Sequence, residues 1–124
     1  MDKIIFVVDD NDFNLVVVKE ALKNQYRVMT LPSAEKMFSL IEKITPDLIL
    51  LDIEMPEMDG FEALECLKSK SAFANIPIIF LTATIDETIK NRGKQLGVNE
   101  FFIKPFTSTD MIMRVNAFFE SRNK

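Results

Sequence analysis

A chain of 124 residues with 48% hydrophobic and 27% charged residues is long enough for one globular domain with a hydrophobic core. Its net charge of −4 gives no sign of direct binding to nucleic acid or to an anionic membrane, and its single cysteine excludes an internal disulfide. The chain has no histidine, which excludes histidine-based acid–base catalysis and an internal phosphohistidine.

The N-terminus lacks the long apolar region and the small-residue cleavage site of a signal peptide. No apolar run reaches the length needed to cross a membrane. Together with the single cysteine, these features predict a cytoplasmic protein in a reducing compartment.

Five short apolar segments alternate with five segments of helical periodicity. Strands are predicted at residues 4–8, 26–30, 48–52, 76–81 and 98–103. Helices are predicted at residues 12–23, 33–44, 57–69, 85–96 and 107–119, followed by a polar tail. Alternation of this kind predicts right-handed crossovers and a parallel sheet with helices on both faces.

The first, third and fourth strands are apolar at almost every position, which is typical of strands buried on both faces of a parallel sheet. The second strand is more polar and is therefore expected nearer an edge. The fourth helix is the weakest, because it is polar and because Gly93 inside it costs about 1 kcal/mol relative to alanine. Gly97 is predicted to cap its C-terminus.

Polar side chains with complementary chemistry lie at the ends of four strands. They are Asp9 and Asp10 after the first strand, Asp52 at the end of the third, Thr82 after the fourth and Lys104 after the fifth. The carboxyl ends of parallel strands meet at one edge of a sheet, and ligands bind there in open α/β folds. Taken alone, each residue also has an ordinary explanation as a helix cap, a strand residue or a surface lysine. Their common placement favours a shared site.

Three carboxylates at this edge require a cation, because each pair about 5 Å apart repels by about 3 kcal/mol at an effective dielectric constant of about 20. Lys104 supplies one positive charge, which is too little for three acids. A hard divalent ion such as Mg²⁺ fits an oxygen-only set of ligands. The predicted ligands are Asp10, Asp52, Asp9 directly or through water, and the backbone carbonyl of Glu54.

A carboxylate in this setting is suited to attack phosphorus and form an aspartyl phosphate. An attached phosphoryl group carries about −1.5 to −2 charges, so its oxygens need a metal ion, an ammonium group and a hydroxyl donor. Lys104 and Thr82 fit the last two needs.

Four short motifs resemble the receiver domain of two-component response regulators. They are VVDDN at 7–11, LDIEMPEMDG at 51–60, LTA at 81–83 and KPF at 104–106, in that family's order and at its spacing. The resemblance covers essentially the whole chain and implies a single receiver domain over residues 1–124 without an effector domain. It also implies a flavodoxin-like (βα)5 fold, in which a five-stranded parallel sheet of order 2-1-3-4-5 carries helices on both faces.

The resemblance further implies how the site works. Asp52 takes a phosphoryl group from a phosphohistidine on a histidine kinase or a histidine phosphotransfer protein. Asp9 and Asp10 help to bind Mg²⁺ or Mn²⁺, while Thr82 and Lys104 hold the phosphoryl group. The peptide bond between Lys104 and Pro105 is expected to be cis.

Phe101 lies at the family's aromatic switch position, three residues before Lys104. On phosphorylation Thr82 is expected to move toward the phosphoryl group and Phe101 to fill the space behind it. Phenylalanine has no hydroxyl to form a hydrogen bond in an outward position, and an ordinary core role is the alternative. The fourth helix, fifth strand and fifth helix form the family's usual output face, where a downstream target or a dimer partner is expected to bind.

The first helix carries more apolar residues than its core face needs. The predicted core stripe consists of Val17, Val18, Ala21 and Leu22. Phe13, Leu15 and Val16 lie partly outside it, and they are predicted either to dock a phosphodonor helix or to add core packing.

A phosphoacceptor of this kind is a signalling domain and not an enzyme, apart from promoting its own phosphorylation and slowly losing the phosphate. The main alternative is a small Mg²⁺-dependent phosphatase of the haloacid dehalogenase type, which also uses an aspartate nucleophile. Residues 10–12 superficially match its Asp-x-Asp motif. That class needs its nucleophile after the first strand and a later acidic pair, which the sequence does not supply.

Overall fold

Five parallel strands and five helices alternate along residues 3–122, the part of the chain that the computed structural model describes. The strands are β1 (Ile4–Val8), β2 (Arg27–Leu31), β3 (Leu48–Asp52), β4 (Ile78–Thr82) and β5 (Glu100–Ile103). The helices are α1 (Asp12–Leu22), α2 (Ala34–Ile41), α3 (Gly60–Lys68), α4 (Glu87–Gln95) and α5 (Ser108–Arg122). None of these helices is both long and apolar enough to cross a lipid bilayer.

The strands form one parallel sheet of order β2-β1-β3-β4-β5, so the predicted strand order and the flavodoxin-like fold are confirmed. Side chains of β1 alternate between the two faces of the sheet. Phe6 and Val8 belong to a hydrophobic cluster with α2 and α3, whereas Ile5 and Val7 belong to one with α1 and α5. Every residue of β3 and β4 is buried, which explains why these strands are apolar almost throughout.

The loop between β3 and α3 departs from its predicted course. α3 begins at Gly60 and not at residue 57, because Glu57 has a φ of 67°, in the left-handed region that a right-handed helix does not use. Asp59 caps the helix instead. Its carboxylate accepts the backbone N–H of Glu62, and the Glu62 carboxylate accepts the backbone N–H of Asp59.

Gly60 places α3 directly against the end of β3. A Cβ atom at this position would lie 2.6 Å from the carbonyl oxygen of Asp52 and 2.8 Å from the Cα of Ile53. The Gly60 N–H also donates a 2.8 Å hydrogen bond to the Ile53 carbonyl. The backbone that carries Asp52 is therefore fixed by the helix that follows it.

α4 buries fewer residues against the sheet than α3 does. Gly93 is its one buried residue, and a Cβ atom there would lie 2.5 Å from the tip of the Phe101 ring. The glycine inside this helix thus makes room for an aromatic side chain of β5. Gly97 follows the C-cap residue Leu96 with a φ of 84°, so a left-handed glycine ends the helix.

Candidate functional site

The carboxyl ends of the central strands bring the predicted acidic residues together. Asp9 follows β1, Asp52 ends β3, and Asp10 lies next to Asp9 in the chain. Carboxylate oxygens of the three residues lie within 4.8 Å of one another. Asp9 and Asp52 are 0% and 3% exposed, whereas Asp10 faces solvent. The sheet therefore gathers two buried acids and one exposed acid at one edge.

Lys104, which follows β5, is the cation that joins the two buried acids. Its Nζ lies 2.9 Å from Asp52 Oδ1 and 3.2 Å from Asp9 Oδ2. Burial alone lowers the pKa of Lys104, but its hydrogen bonds and charge interactions with Asp52 and Asp9 outweigh burial and raise that pKa. The ammonium group is therefore retained at neutral pH. The peptide bond between Lys104 and Pro105 is cis, as the family resemblance implied.

Asp52 occupies an environment that disfavours its charge. Burial raises the pKa of Asp52 to about 7, helped by the charges of Asp9 and Asp10 and opposed by the hydrogen bond from Lys104. When all three acids are ionised, their charge of −3 and the +1 of Lys104 leave −2 at the site. This excess negative charge attracts further cations.

The donor set fits a hard divalent metal ion. The three clustered carboxylates offer only oxygen ligands, which Mg²⁺ and Mn²⁺ prefer. The buried acids Asp9 and Asp52 come from two neighbouring strands, so their separation is set by the sheet and not by flexible loops. Glu54, two residues beyond Asp52, has an exposed side chain outside this acidic cluster, and its backbone carbonyl stays a predicted ligand.

Asp9 accepts hydrogen bonds on both of its carboxylate oxygens. Oδ1 accepts the backbone N–H of Asn11 at 2.9 Å, and Oδ2 accepts Nδ2–H of Asn14 at 3.2 Å. Asn14 was not identified from the sequence. The sequence clue to its role is a side-chain amide in the first turn of the helix that follows Asp9 and Asp10. That clue is not sufficient, because the rotation of α1 relative to β1 determines whether the amide faces these acids.

The Thr82 hydroxyl makes its hydrogen bonds within its own loop. It donates to the carbonyl of Thr84 at 2.6 Å and accepts the Thr84 N–H at 3.3 Å, while the side chain is buried. It makes no hydrogen bond to Asp52 or Lys104 in this structure. Thr82 therefore ends the strand beside β3, as predicted, with its hydroxyl turned to a different partner.

Phe101 lies half-buried between the sheet and α4. Its ring centroid is 5.9 Å from that of Phe80, which in turn is 5.2 Å from that of Phe61. The Arg92 guanidinium of α4 lies 4.3 Å from the Phe61 centroid. Aromatic contacts thus link β5 to α3 and α4, and Phe101 is packed against the glycine of α4 in this state.

The prediction for the outer surface of α1 is right for two residues and wrong for the third. Phe13 and Val16 are 72% and 59% exposed. Leu15 is buried, because it shares the inward face of α1 with Val18 and Leu22, one and two turns further on. The exposed apolar surface near Asp10 therefore consists of Phe13 and Val16 without Leu15.

Comparisons with known proteins point to one family. A model of the response regulator receiver domain matches residues 5–116. The chain is 39% identical over 112 residues to the hybrid signal transduction histidine kinase D of Dictyostelium discoideum, covering 90% of this chain and 7% of that protein. It is 34% identical over 118 residues to the alkaline phosphatase synthesis transcriptional regulatory protein PhoP of Bacillus subtilis, covering 94% of this chain and 48% of that protein.

A solved structure shares the whole fold. The chemotaxis response regulator CheY4 of Vibrio cholerae aligns with a TM-score of 0.88 at 25% identity, covering 94% of this chain and 98% of that one. The chain spans less than half the length of the two relatives described above, so its similarity to them concerns one part of each.

Proposed function

The chain belongs to the response regulator receiver domain family of two-component signalling, and on that premise we propose that Asp52 is its phosphoacceptor. The phosphoryl donor is a phosphohistidine on a histidine kinase or a histidine phosphotransfer protein. The observation that carries this proposal is the contact of Lys104 with both Asp52 and Asp9 inside a cluster of three acids. A purely structural ion pair would need only Lys104 with Asp9 and Asp52, and would not require the carboxylate of Asp10.

In the proposed transfer, a carboxylate oxygen of Asp52 attacks the phosphorus atom of the phosphohistidine. An O–P bond forms, the P–N bond breaks, and the imidazole nitrogen keeps the bonding electron pair. Asp52 attacks only when ionised, and its pKa of about 7 means that a large share of molecules carries the charge at neutral pH. Lys104, already 2.9 Å from Asp52, neutralises part of the charge on the transferred group.

Asp9, Asp10 and Asp52 hold Mg²⁺ or Mn²⁺ in this proposal, with the backbone carbonyl of Glu54 as a further ligand. Bound there, the ion supplies positive charge that offsets the carboxylates and the phosphoryl oxygens. The support for it is the excess of −2 that Lys104 leaves at the site when all three acids are ionised. Titration calorimetry of the native chain and of Asp10→Asn tests this assignment, because we expect the variant to lose most of the affinity for Mg²⁺.

We further propose that phosphorylation is read out on the surface of α4, β5 and α5. Thr82 exchanges the Thr84 carbonyl for a phosphoryl oxygen, and Phe101 follows by moving into the space behind Thr82. Because Phe101 has no hydroxyl, its position depends on packing alone. Exposed apolar side chains on this surface, Ile103 and Met113, suit a downstream target or a dimer partner.

The phosphodonor docks on α1 in this proposal, beside Asp10, through Phe13 and Val16. Phe13→Glu is expected to slow phosphoryl transfer from a histidine phosphotransfer protein that serves the native chain. The same variant should react normally with acetyl phosphate, which needs no docking surface. Equal transfer rates from the protein donor for the native chain and the variant would contradict this docking surface.

Treatment with acetyl phosphate and Mg²⁺, followed by intact-mass measurement, tests the phosphoacceptor directly. The native chain should gain the mass of one phosphoryl group, and Asp52→Asn should gain none. Asp110→Asn is the matched control, because Asp110 is an exposed aspartate of α5 and its loss should leave the mass gain intact. If Asp52→Asn also gains the mass of one phosphoryl group, the group is attached to another residue and the assignment of Asp52 is overturned.

A further inference from the structure

Asn14 contacts the acidic site from α1 without being one of its acids. Its Nδ2–H donates to Asp9 Oδ2 at 3.2 Å, and Lys104 Nζ lies at the same distance from that same oxygen. The other oxygen, Oδ1, accepts the backbone N–H of Asn11. A fully buried carboxylate therefore has three donors, of which one side-chain donor, Lys104, is shared with Asp52.

The sharing of Lys104 makes the Asn14 amide important. A buried carboxylate without hydrogen-bond donors is strongly disfavoured. When Lys104 turns toward a phosphoryl group on Asp52, Asp9 Oδ2 loses its ammonium partner. The Asn14 amide is the side-chain donor that stays on that oxygen, because it projects from α1, whose packing on the sheet does not involve Lys104.

We propose that Asn14 is a positioning residue that acts through Asp9, which rests on the proposed role of Asp9 in holding a divalent cation. Asn14 fixes the orientation of the Asp9 carboxylate for the cation and keeps it satisfied while Lys104 is engaged elsewhere. Hydrogen-bond partners of metal-binding carboxylates do this generally, and their loss typically lowers metal affinity by about 10- to 100-fold.

Asn14→Leu tests the proposal, since leucine is close in size to asparagine and has no donor. We expect the affinity of the unphosphorylated chain for Mg²⁺, measured by titration calorimetry, to fall about tenfold. Asn14→Gln keeps the amide and should recover most of the lost affinity. Asn91→Leu is the matched control, because Asn91 is an exposed residue of α4, and this change should leave the affinity unchanged.

A double-mutant cycle with Asp9→Asn shows whether Asn14 acts through Asp9. If it does, Asn14→Leu produces no further loss of Mg²⁺ affinity in the Asp9→Asn background. An equal loss in both backgrounds, or an unchanged affinity in Asn14→Leu alone, overturns the positioning role and leaves the phosphoacceptor assignment standing. A native chain that binds no Mg²⁺ overturns the metal site itself, and the role of Asn14 with it.

Discussion

α3 and α4 are both nine residues long, yet α3 buries five of its residues and α4 buries only Gly93. α3 starts in contact with the backbone of Asp52, through Gly60. α4 instead places its glycine against the ring of Phe101, a side chain that is itself only half-buried. The helices on the two sides of Asp52, the proposed phosphoacceptor, are therefore held to the sheet by very different amounts of buried surface.

In the proposed function, this contrast separates the part of the site that has to keep its geometry from the part that has to respond to phosphorylation. The proposed cation site and the proposed attacking carboxylate keep their geometry only if the backbone of the acids is fixed. An element with few buried apolar contacts shifts at a low cost in free energy, so α4 is suited to change position. The same kind of substitution should consequently have different effects on the two sides.

Gly60→Ala should cause the largest effect, on the fixed side. The added Cβ meets backbone atoms of Asp52 and Ile53 at 2.6 and 2.8 Å, and backbone cannot rotate away as a side chain can. We expect the free energy of unfolding, measured by urea denaturation, to fall by about 3 kcal/mol. A fall of less than about 1 kcal/mol would contradict the tight contact between α3 and the end of β3.

The pH dependence of the unfolding free energy should show the cost of ionising the buried Asp52 carboxylate, which lies at the end of β3 next to α3. Burial raises the pKa of Asp52 to about 7, so between about pH 4 and pH 7 the folded chain keeps a proton that the unfolded chain releases. The stabilising contribution of that proton is complete below about pH 4 and is lost as the pH rises through about 7.

From about pH 5 to pH 8, the native chain should therefore lose about 2 kcal/mol of unfolding free energy more than Asp52→Asn does. Urea denaturation in the presence of a chelator measures this difference. Added Mg²⁺ should reduce it, because a cation bound at the proposed metal site would stabilise the ionised form of Asp52. Parallel pH profiles for the two chains would show that Asp52 is not held in its neutral form.

The fold could be predicted because unbroken apolar runs such as residues 48–51 of β3 are typical of buried parallel strands. Helix ends were predicted less well. The start of α3 depends on the left-handed φ of Glu57, which is set by how the loop meets β3. Because residue 57 is not a glycine, the sequence gives no indication of this φ. Local sequence fixes the type of element, whereas its ends depend on tertiary contacts.

The acidic residues could be placed together because parallel strand ends share an edge, whatever the details of packing. Predicting the direction of the Asn14 and Leu15 side chains would have required knowing how α1 is rotated about its axis. The predicted core stripe of this helix omitted Leu15, and the structure places that residue inward. The direction of the Thr82 hydroxyl depends on one side-chain torsion and the adjacent Thr84 carbonyl, so sequence patterns carry no information on it.

Gly93→Ala is the matched change on the responsive side and should cost less than about 1 kcal/mol of unfolding free energy, since alanine favours the helix by about that amount. The added Cβ lies 2.5 Å from the tip of the Phe101 ring and 3.0 Å from Val98 Cγ1, and both are side-chain atoms that can turn aside. We expect the NMR signals of that ring to shift. Gly97→Ala is the control, because its φ of 84° makes alanine unfavourable without affecting Phe101. A loss as large as that of Gly60→Ala would show that α4 is packed as firmly as α3.

Glu57→Gly should give the smallest effect and the only gain, and it tests whether the fixed side carries backbone strain. Glu57 has a φ of 67°, which costs an L-residue about 1 to 2 kcal/mol, whereas glycine adopts it freely but loses more entropy on folding. The net result should be about 0.5 kcal/mol of added stability in urea denaturation.

Glu57→Ala keeps the unfavourable φ and removes the carboxylate, so it separates backbone strain from charge. If alanine stabilises the chain as much as glycine does, the gain comes from removing the negative charge of Glu57, and the loop after β3 is unstrained.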